Sequence, residues 1–235
     1  MSQLTSLLSL LQLADSGFPS GRYSLSHGLE SFAQSTEFAP PRVSSLVELL
    51  SDSLRLGIAP SDGVALVCAH RAVSPDGHVD LDTVKHADER LTAVKLAWEG
   101  RDASRRTGRA LLRTAIDAFE ATLLLEYDEL VEAGGSPGNH AVVLGMVSAW
   151  LEVPRLDAVA GELYAFSAGW VASAVRLALM DHRAAQAVLC RLRPVIADAA
   201  SDAVGRDVAE ISSCTPLLDV MSMRHEEAEL RLFAT

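Results

Sequence analysis

Seven histidines, His27, His70, His78, His86, His140, His182 and His225, are the first place to look for metal or acid–base chemistry. None forms the H-x-x-x-H pair that puts two imidazoles on one helical face. His27 and Glu30 lie three apart and would share a face if both were helical. Di-iron bundles use a Glu-x-x-His pair on each of two helices. Here the order is reversed and there is no second copy, so helix packing or partner contact is the preferred role for His27, and no metal site is expected. A nucleotide-binding loop needs Lys and Ser or Thr after its glycines. Gly134-Gly135-Ser136-Pro137-Gly138 is instead followed by Asn139 and His140, and no serine sits in a G-x-S-x-G elbow. No catalytic set emerges, so neither an enzyme nor a cofactor is expected.

Two arginine-bearing features call for an explanation of another kind. Arg101, Arg105, Arg109 and Arg113 are spaced by four, with Arg106 beside them. Such a row drifts by only about 120° over three helical turns, and its first two members project onto the stripe of Leu112, Ile116 and Phe119. An unpaired Arg cannot be buried cheaply. Either acidic groups of the chain pair with these arginines, or that part of the stripe meets another protein. Arg176, within the most apolar stretch, poses the same choice. The C-terminus carries Met223-Arg224-His225-Glu226 and then Leu230-Arg231-Leu232-Phe233-Ala234-Thr235. Chain ends are usually polar and frayed. An apolar end flanked by arginine docks either onto its own core or onto a partner, where Arg231 would supply charge-assisted hydrogen bonds.

The elements that must position these groups read as helices. Leu4, Leu7, Leu8 and Leu11 mark one face of a first helix, and Val43, Leu46, Val47, Leu50 and Leu54 repeat the pattern. Val84, Ala87, Leu91, Val94 and Trp98 keep the spacing, as do Leu111, Leu112, Ala115, Ile116, Phe119 and Leu123. No run of strict alternation predicts a sheet. The stretch 158–180 is apolar nearly all round and should be enclosed by other helices, with small residues allowing close approach. Pro194 should kink or start the helix after it. Turn chemistry marks loops at 15–21 and 74–77, and Ala39-Pro40-Pro41 should end a helix. Gly134–Gly138 is the strongest break. It is read as a loop within one domain, because the flanking helices lack separate core-sized apolar sets. The expected fold is all-α, a single compact domain over 1–235 with a central apolar helix near 158–180 and a C-terminal tail.

At 235 residues with 49% apolar side chains, the chain can bury a core without disulfides. Its 20 basic and 31 acidic residues give a net charge of −11. That argues against nucleic acid or an anionic membrane as partner. Cys68, Cys190 and Cys214 are odd in number and widely spaced, as in a reduced cytoplasmic protein. The first basic residue is Arg22, so no secretory signal is expected.

Five blocks, in order, resemble the UreF family of urease accessory proteins. They are Leu11 to Ser16 with Pro19-x-Gly21-x-Tyr23-Ser24-x-Ser26-His27-Gly28-Leu29-Glu30; Arg101-Asp102-Ala103-Ser104 with Gly108-Arg109-x-Leu111-Leu112; Asn139-His140 through Gly145; Ser173-Ala174-Val175-Arg176-Leu177; and Pro216 to Glu226 with Arg231-Leu232-Phe233. Arg22 stands where the family commonly has a small residue, and the glycine hinge after the fourth block is missing. The resemblance implies an all-helical scaffold without chemistry of its own, bridging UreD (also called UreH) and the GTPase UreG, modulating the GTPase cycle, dimerising, and serving nickel insertion into apo-urease. It implies partner contacts at Tyr23 and at Arg231, Leu232 and Phe233. His27, Glu30, Arg224, His225 and Glu226 belong to the same blocks and are grouped with them, in a partner-binding segment at 216–235. A nickel-carrying metallochaperone is the alternative.

Overall fold

The computed structural model describes residues 2–35, 43–227 and 231–234. Helix α1 (Gln3–Ala14) starts where the Ser2 side chain accepts from the Thr5 amide. Helix α2 (Leu29–Gln34) follows Gly28, whose φ of +80° only glycine adopts without strain. Helix α3 (Val43–Asp52) runs through a wide π-wound stretch, Ser53–Gly63, into α4 (Val64–Arg71). Pro60 lies in that stretch and cannot donate the backbone hydrogen bond of a regular turn. Asp80 caps α5 (Leu81–Val94), and α6 (Trp98–Phe119) and α7 (Leu125–Glu132) follow. Helices α8 (His140–Trp150), α9 (Arg155–Arg176), α10 (His182–Val204) and α11 (Pro216–Glu226) complete the chain. Among the described residues the only extended pairing is a single bridge, Val73 to Val79, closing the turn at 74–77. The fold is all-α, as the periodicity predicts.

The expected apolar helix is α9, and it ends at Arg176. It shares the centre with α8, which is the more completely enclosed, every residue from His140 to Ser148 being buried. Tyr164 and Leu156 leave part of α9 at the surface. Close approach is made by glycine. Gly145 lets α8 lie directly on the backbone of α4 at Leu66, and Gly108 lets α6 lie on the start of α8 at Gly138. Leu4, Leu7, Leu8 and Leu11 face solvent, and Leu10 and Leu13 pack on the core instead. Trp98 opens α6 rather than extending α5, and it is exposed. Helix α10 passes through Pro194 without ending there. The expected stop at Ala39-Pro40-Pro41 lies outside the described residues.

The glycine-rich segment before α8 is fastened down. Asp88 on α5, fully buried, accepts from the Tyr127 hydroxyl (2.7 Å), the Ser136 hydroxyl (2.6 Å), the Gly138 amide (2.7 Å) and the Asn139 amide (3.0 Å). The Asn139 side chain adds a fifth bond at 2.7 Å. Protein donors thus replace the water that a carboxylate loses on burial. Burial, with the Asp88 charge beside it, pushes the Tyr127 phenol well above its ordinary range. The segment ties α5 to the start of α8.

Glycine contacts of this kind make a sharp stability test. Gly108→Ala and Gly145→Ala should each lose about 2 kcal/mol or more, because a Cβ there meets fixed backbone. At Gly100 a Cβ meets nothing within 4 Å. Gly100→Ala should therefore gain up to about 1 kcal/mol from helix propensity. Urea unfolding midpoints read all three.

Candidate functional site

The described C-terminal residues fold back onto the start of the chain. Helix α11 packs against α2 because Gly28 leaves no side chain between them; a Cβ there would sit 2.8 Å from the Ser222 hydroxyl. This places His225 in a fully buried position. Its Nδ1 lies 2.7 Å from Glu99 and its Nε2 3.0 Å from Glu30. Glu226 accepts from the amides of Trp98 (2.8 Å) and Glu99 (3.3 Å). It thereby caps the start of α6, where the helix dipole favours negative charge. Beyond the helix, Arg231 donates to Glu99 at 2.8 Å and to the Glu226 carbonyl. The amides of Leu232 (2.8 Å) and Phe233 (3.1 Å) donate to Glu30, and that of Ala234 to the Ser24 carbonyl (2.9 Å).

Phe233 points inward and is 6% exposed, whereas Leu232 points outward and is 77% exposed. The Arg176 guanidinium lies between two rings, 4.3 Å from the Tyr23 centroid and 4.4 Å from that of Phe233. It also donates to the Tyr23 carbonyl (2.8 Å) and the Ser173 hydroxyl (2.9 Å). The Arg176 charge is thus met by π-faces and oxygens of the chain itself.

Beside this clasp lies a polar cavity of about 150 Å³, reached from the N-terminal loop, the π-wound stretch, α6, α9 and α11. Two ion pairs line it. Arg22 holds Glu162 with two bonds (2.6 and 2.8 Å), and Lys95 holds Asp62 with two more (2.9 and 2.7 Å). Burial drives the Glu162 carboxyl upward despite the opposing Arg22 charge. At Asp62 burial pushes up as well, but the Lys95 charge and the bonds from Lys95 and Ser61 bring the net shift below the usual carboxylate range. Burial, then the Arg22 charge, lowers both His27 and His140 to about 3, so both are neutral bases near pH 7. His27 stacks on Phe166, ring centroids 4.7 Å apart.

The structure brings together Tyr23, Glu30, Arg176, His225, Glu226, Arg231, Leu232 and Phe233, with Arg224 exposed on the same helix. It does not bring His27 into this group. His27 precedes α2 with φ of +52° and turns to the cavity, so it shares no helical face with Glu30. The arginine row also differs from expectation. Arg105 and Arg109 are exposed and lie off the apolar stripe. Arg101 donates to the carbonyls of Lys95 (2.7 Å) and Leu96 (2.6 Å), Arg106 pairs with Asp102, and Arg113 with Glu132. Leu230 and Thr235 lie outside the described residues. Sequence reasoning missed Glu99, Glu162, Lys95 and Asp62. The signal for Glu162 was Arg22 itself, a cation in a loop of small residues. Among the described residues no group of three or more His, Cys, Asp or Glu is placed to hold a metal ion. The two carboxylates at His225 sit on opposite ring nitrogens, so the donors diverge.

A family model described as UreF matches residues 42–193. The chain is 30% identical to a urease accessory protein UreF of Trichodesmium erythraeum, covering 99% of this chain and 98% of that one. It is 28% identical to the UreF of a Bacillus species over 97% and 98%. Against a UreF 2 of Brucella canis the identity is 29% over 98% and 92%.

The neutral histidines give the cavity a pH signature. A histidine lowered in the fold protonates more readily once unfolded, so stability is lost as pH falls below an ordinary imidazole value of about 6.5. For His140 this amounts to about 2 kcal/mol at about pH 5. Glu162 works the other way, being raised, but it is common to the wild type and a His140→Gln variant. The stability gap between those two proteins should therefore shrink by about 2 kcal/mol from about pH 7 to 5. A gap independent of pH contradicts the assignment.

Proposed function

The chain belongs to the UreF family of urease accessory proteins, and on that premise we propose that it is a non-catalytic scaffold for nickel insertion into apo-urease. In this reading it is one domain that bridges UreD/UreH and the GTPase UreG in the cytoplasm, as a homodimer. It carries its partner contacts in 216–235 and in the N-terminal loop at Tyr23. Modulation of the GTPase then follows from differential affinity, since a partner shifts a nucleotide-state equilibrium only as far as it binds one state better.

The observation that supports this reading best is the shape of the clasp. The clasp leaves Leu232 at 77% exposure and Tyr23 at 60%, apolar surface that a partner would cover. Leu217, Val220 and Met223 on α11 are exposed as well, and so is Trp98, whose amide Glu226 holds at the start of α6. Interfaces are enriched in such aromatic, Met and Arg side chains. Glu30, Glu99, His225, Glu226 and Arg231 are engaged in holding the tail, which leaves the Leu232 side chain for a partner.

Co-purification with the other accessory proteins tests the assignment. Leu232→Asp leaves every hydrogen bond of the clasp in place, because Leu232 uses only its amide there. It should cut capture of UreD/UreH by about tenfold or more while the helical content stays unchanged. Removal of the last dozen residues should abolish capture. Intact capture in both proteins overturns the partner role of the tail.

A further inference from the structure

Helix α6 carries the row of arginines, and three of them are engaged within the chain. Arg101 donates to the carbonyls of Lys95 and Leu96, Arg106 pairs with Asp102, and Arg113 with Glu132. Arg105 and Arg109 are exposed and have no hydrogen-bond or ion-pair partner among the described residues. Acids are plentiful in a chain of net charge −11, yet none pairs with these two. The same line of α6 begins with Trp98, which is 60% exposed, and Leu96 just before it is exposed too. At about 100° per residue, Trp98, Arg105 and Arg109 fall within about 40° of one another, so they form one stripe. Along the axis Arg105 lies about 10 Å from Trp98, and Arg109 about 6 Å further on. The corner that shows the two apolar side chains is fixed. The Arg101 bonds hold the carbonyls of Lys95 and Leu96, and Glu226 holds the Trp98 amide at 2.8 Å. An anchor held in place beforehand loses little freedom on binding.

We propose that this stripe is a docking surface for an acidic helical segment of a partner protein, which sets an apolar side chain against Trp98 and two carboxylates against Arg105 and Arg109. Charge complementarity identifies the occupant. A guanidinium fork matches a carboxylate with two parallel hydrogen bonds. Two carboxylates placed i, i+4 on a helix have the same spacing as Arg105 and Arg109. Trp and Arg are also among the residue types that dominate binding energy at interfaces. A nucleic acid fits less well, since its phosphates outnumber two cations and meet the net charge of −11 on the chain. The stripe goes beyond the tail contacts, because neither Leu232 nor Tyr23 belongs to it, and it is read on the isolated chain.

NMR of the intact protein tests it, by following the Trp98 indole and the Arg105 and Arg109 side chains. The probe is a synthetic Ala/Gln-based helix carrying one Leu and an i, i+4 pair of Glu, and the control is the same helix with Gln for both Glu. The expected result is saturable shifts at these three residues with the Glu peptide and none with the control. Arg105→Glu with Arg109→Glu should weaken the Glu peptide by about tenfold or more at unchanged helical content, and Arg105→Lys with Arg109→Lys, which keeps the charge, should weaken it less. The proposal is overturned if no saturable shift appears at the three residues, if the control peptide binds equally, or if charge reversal has no effect. It is overturned as well if an oligonucleotide of equal charge binds the stripe more tightly, or if the three residues shift with protein concentration alone, which would assign the stripe to a second copy.

Discussion

A single buried carboxylate holds the two ends of this chain together. Glu30, near the start of the sequence, is fully buried and accepts from His225, Leu232 and Phe233 near its end. Hydrogen bonds to a charged acceptor are worth roughly twice those between neutral groups, and in a dry site a missing donor is costly. This makes the arrangement cooperative: Glu30 has its full set of donors only when the tail is seated, and the two tail amides have their acceptor only when α2 is in place. Arg176, between the rings of Tyr23 and Phe233, ties the same two ends to the last turn of α9. The clasp is therefore composed of residues from both ends of the described chain at once.

What makes such a clasp possible is a rigid platform beneath it. Helices α4, α6 and α8 approach at glycines, with backbone against backbone, so their relative positions tolerate little adjustment. Asp88 fixes the segment leading into α8 through hydrogen bonds, with no cation paired to it among the described residues. The polar cavity lies between this platform and the clasp. Its two ion pairs connect the N-terminal loop to α9 and the π-wound stretch to the segment before α6. The few buried acidic residues, Glu30, Asp62, Asp88, Glu99 and Glu162, act as internal struts.

Much of this was legible in the sequence, and what was not has physical reasons. The helices follow from 3.6-residue periodicity, and the apolar, arginine-flanked tail at Arg231-Leu232-Phe233 announced that it would be buried against something. Which faces turn inward was harder. Leu4, Leu7, Leu8 and Leu11 repeat like a core face yet lie outside, because α1 is held through Leu10, Leu13 and the Ser6 hydroxyl instead. The arginine row gave a plausible register but the wrong face, since spacing by four fixes a stripe and not its direction. His27 and Glu30 have helical spacing, but Gly28 between them adopts a left-handed conformation and the helix begins only afterwards. The partners Glu99 and Glu162 lie more than a hundred residues from His225, Arg231 and Arg22, a pairing that only tertiary structure shows.

The claim that the Glu30 carboxylate seats the tail is tested most directly by hydrogen exchange of the Leu232 and Phe233 amides, at one pH, in wild type and in Glu30→Gln. The substitution keeps the shape and removes the charge. The account predicts that protection of those two amides falls by about tenfold or more while the amides of α8 exchange as before. Equal protection of the tail in both proteins would contradict it.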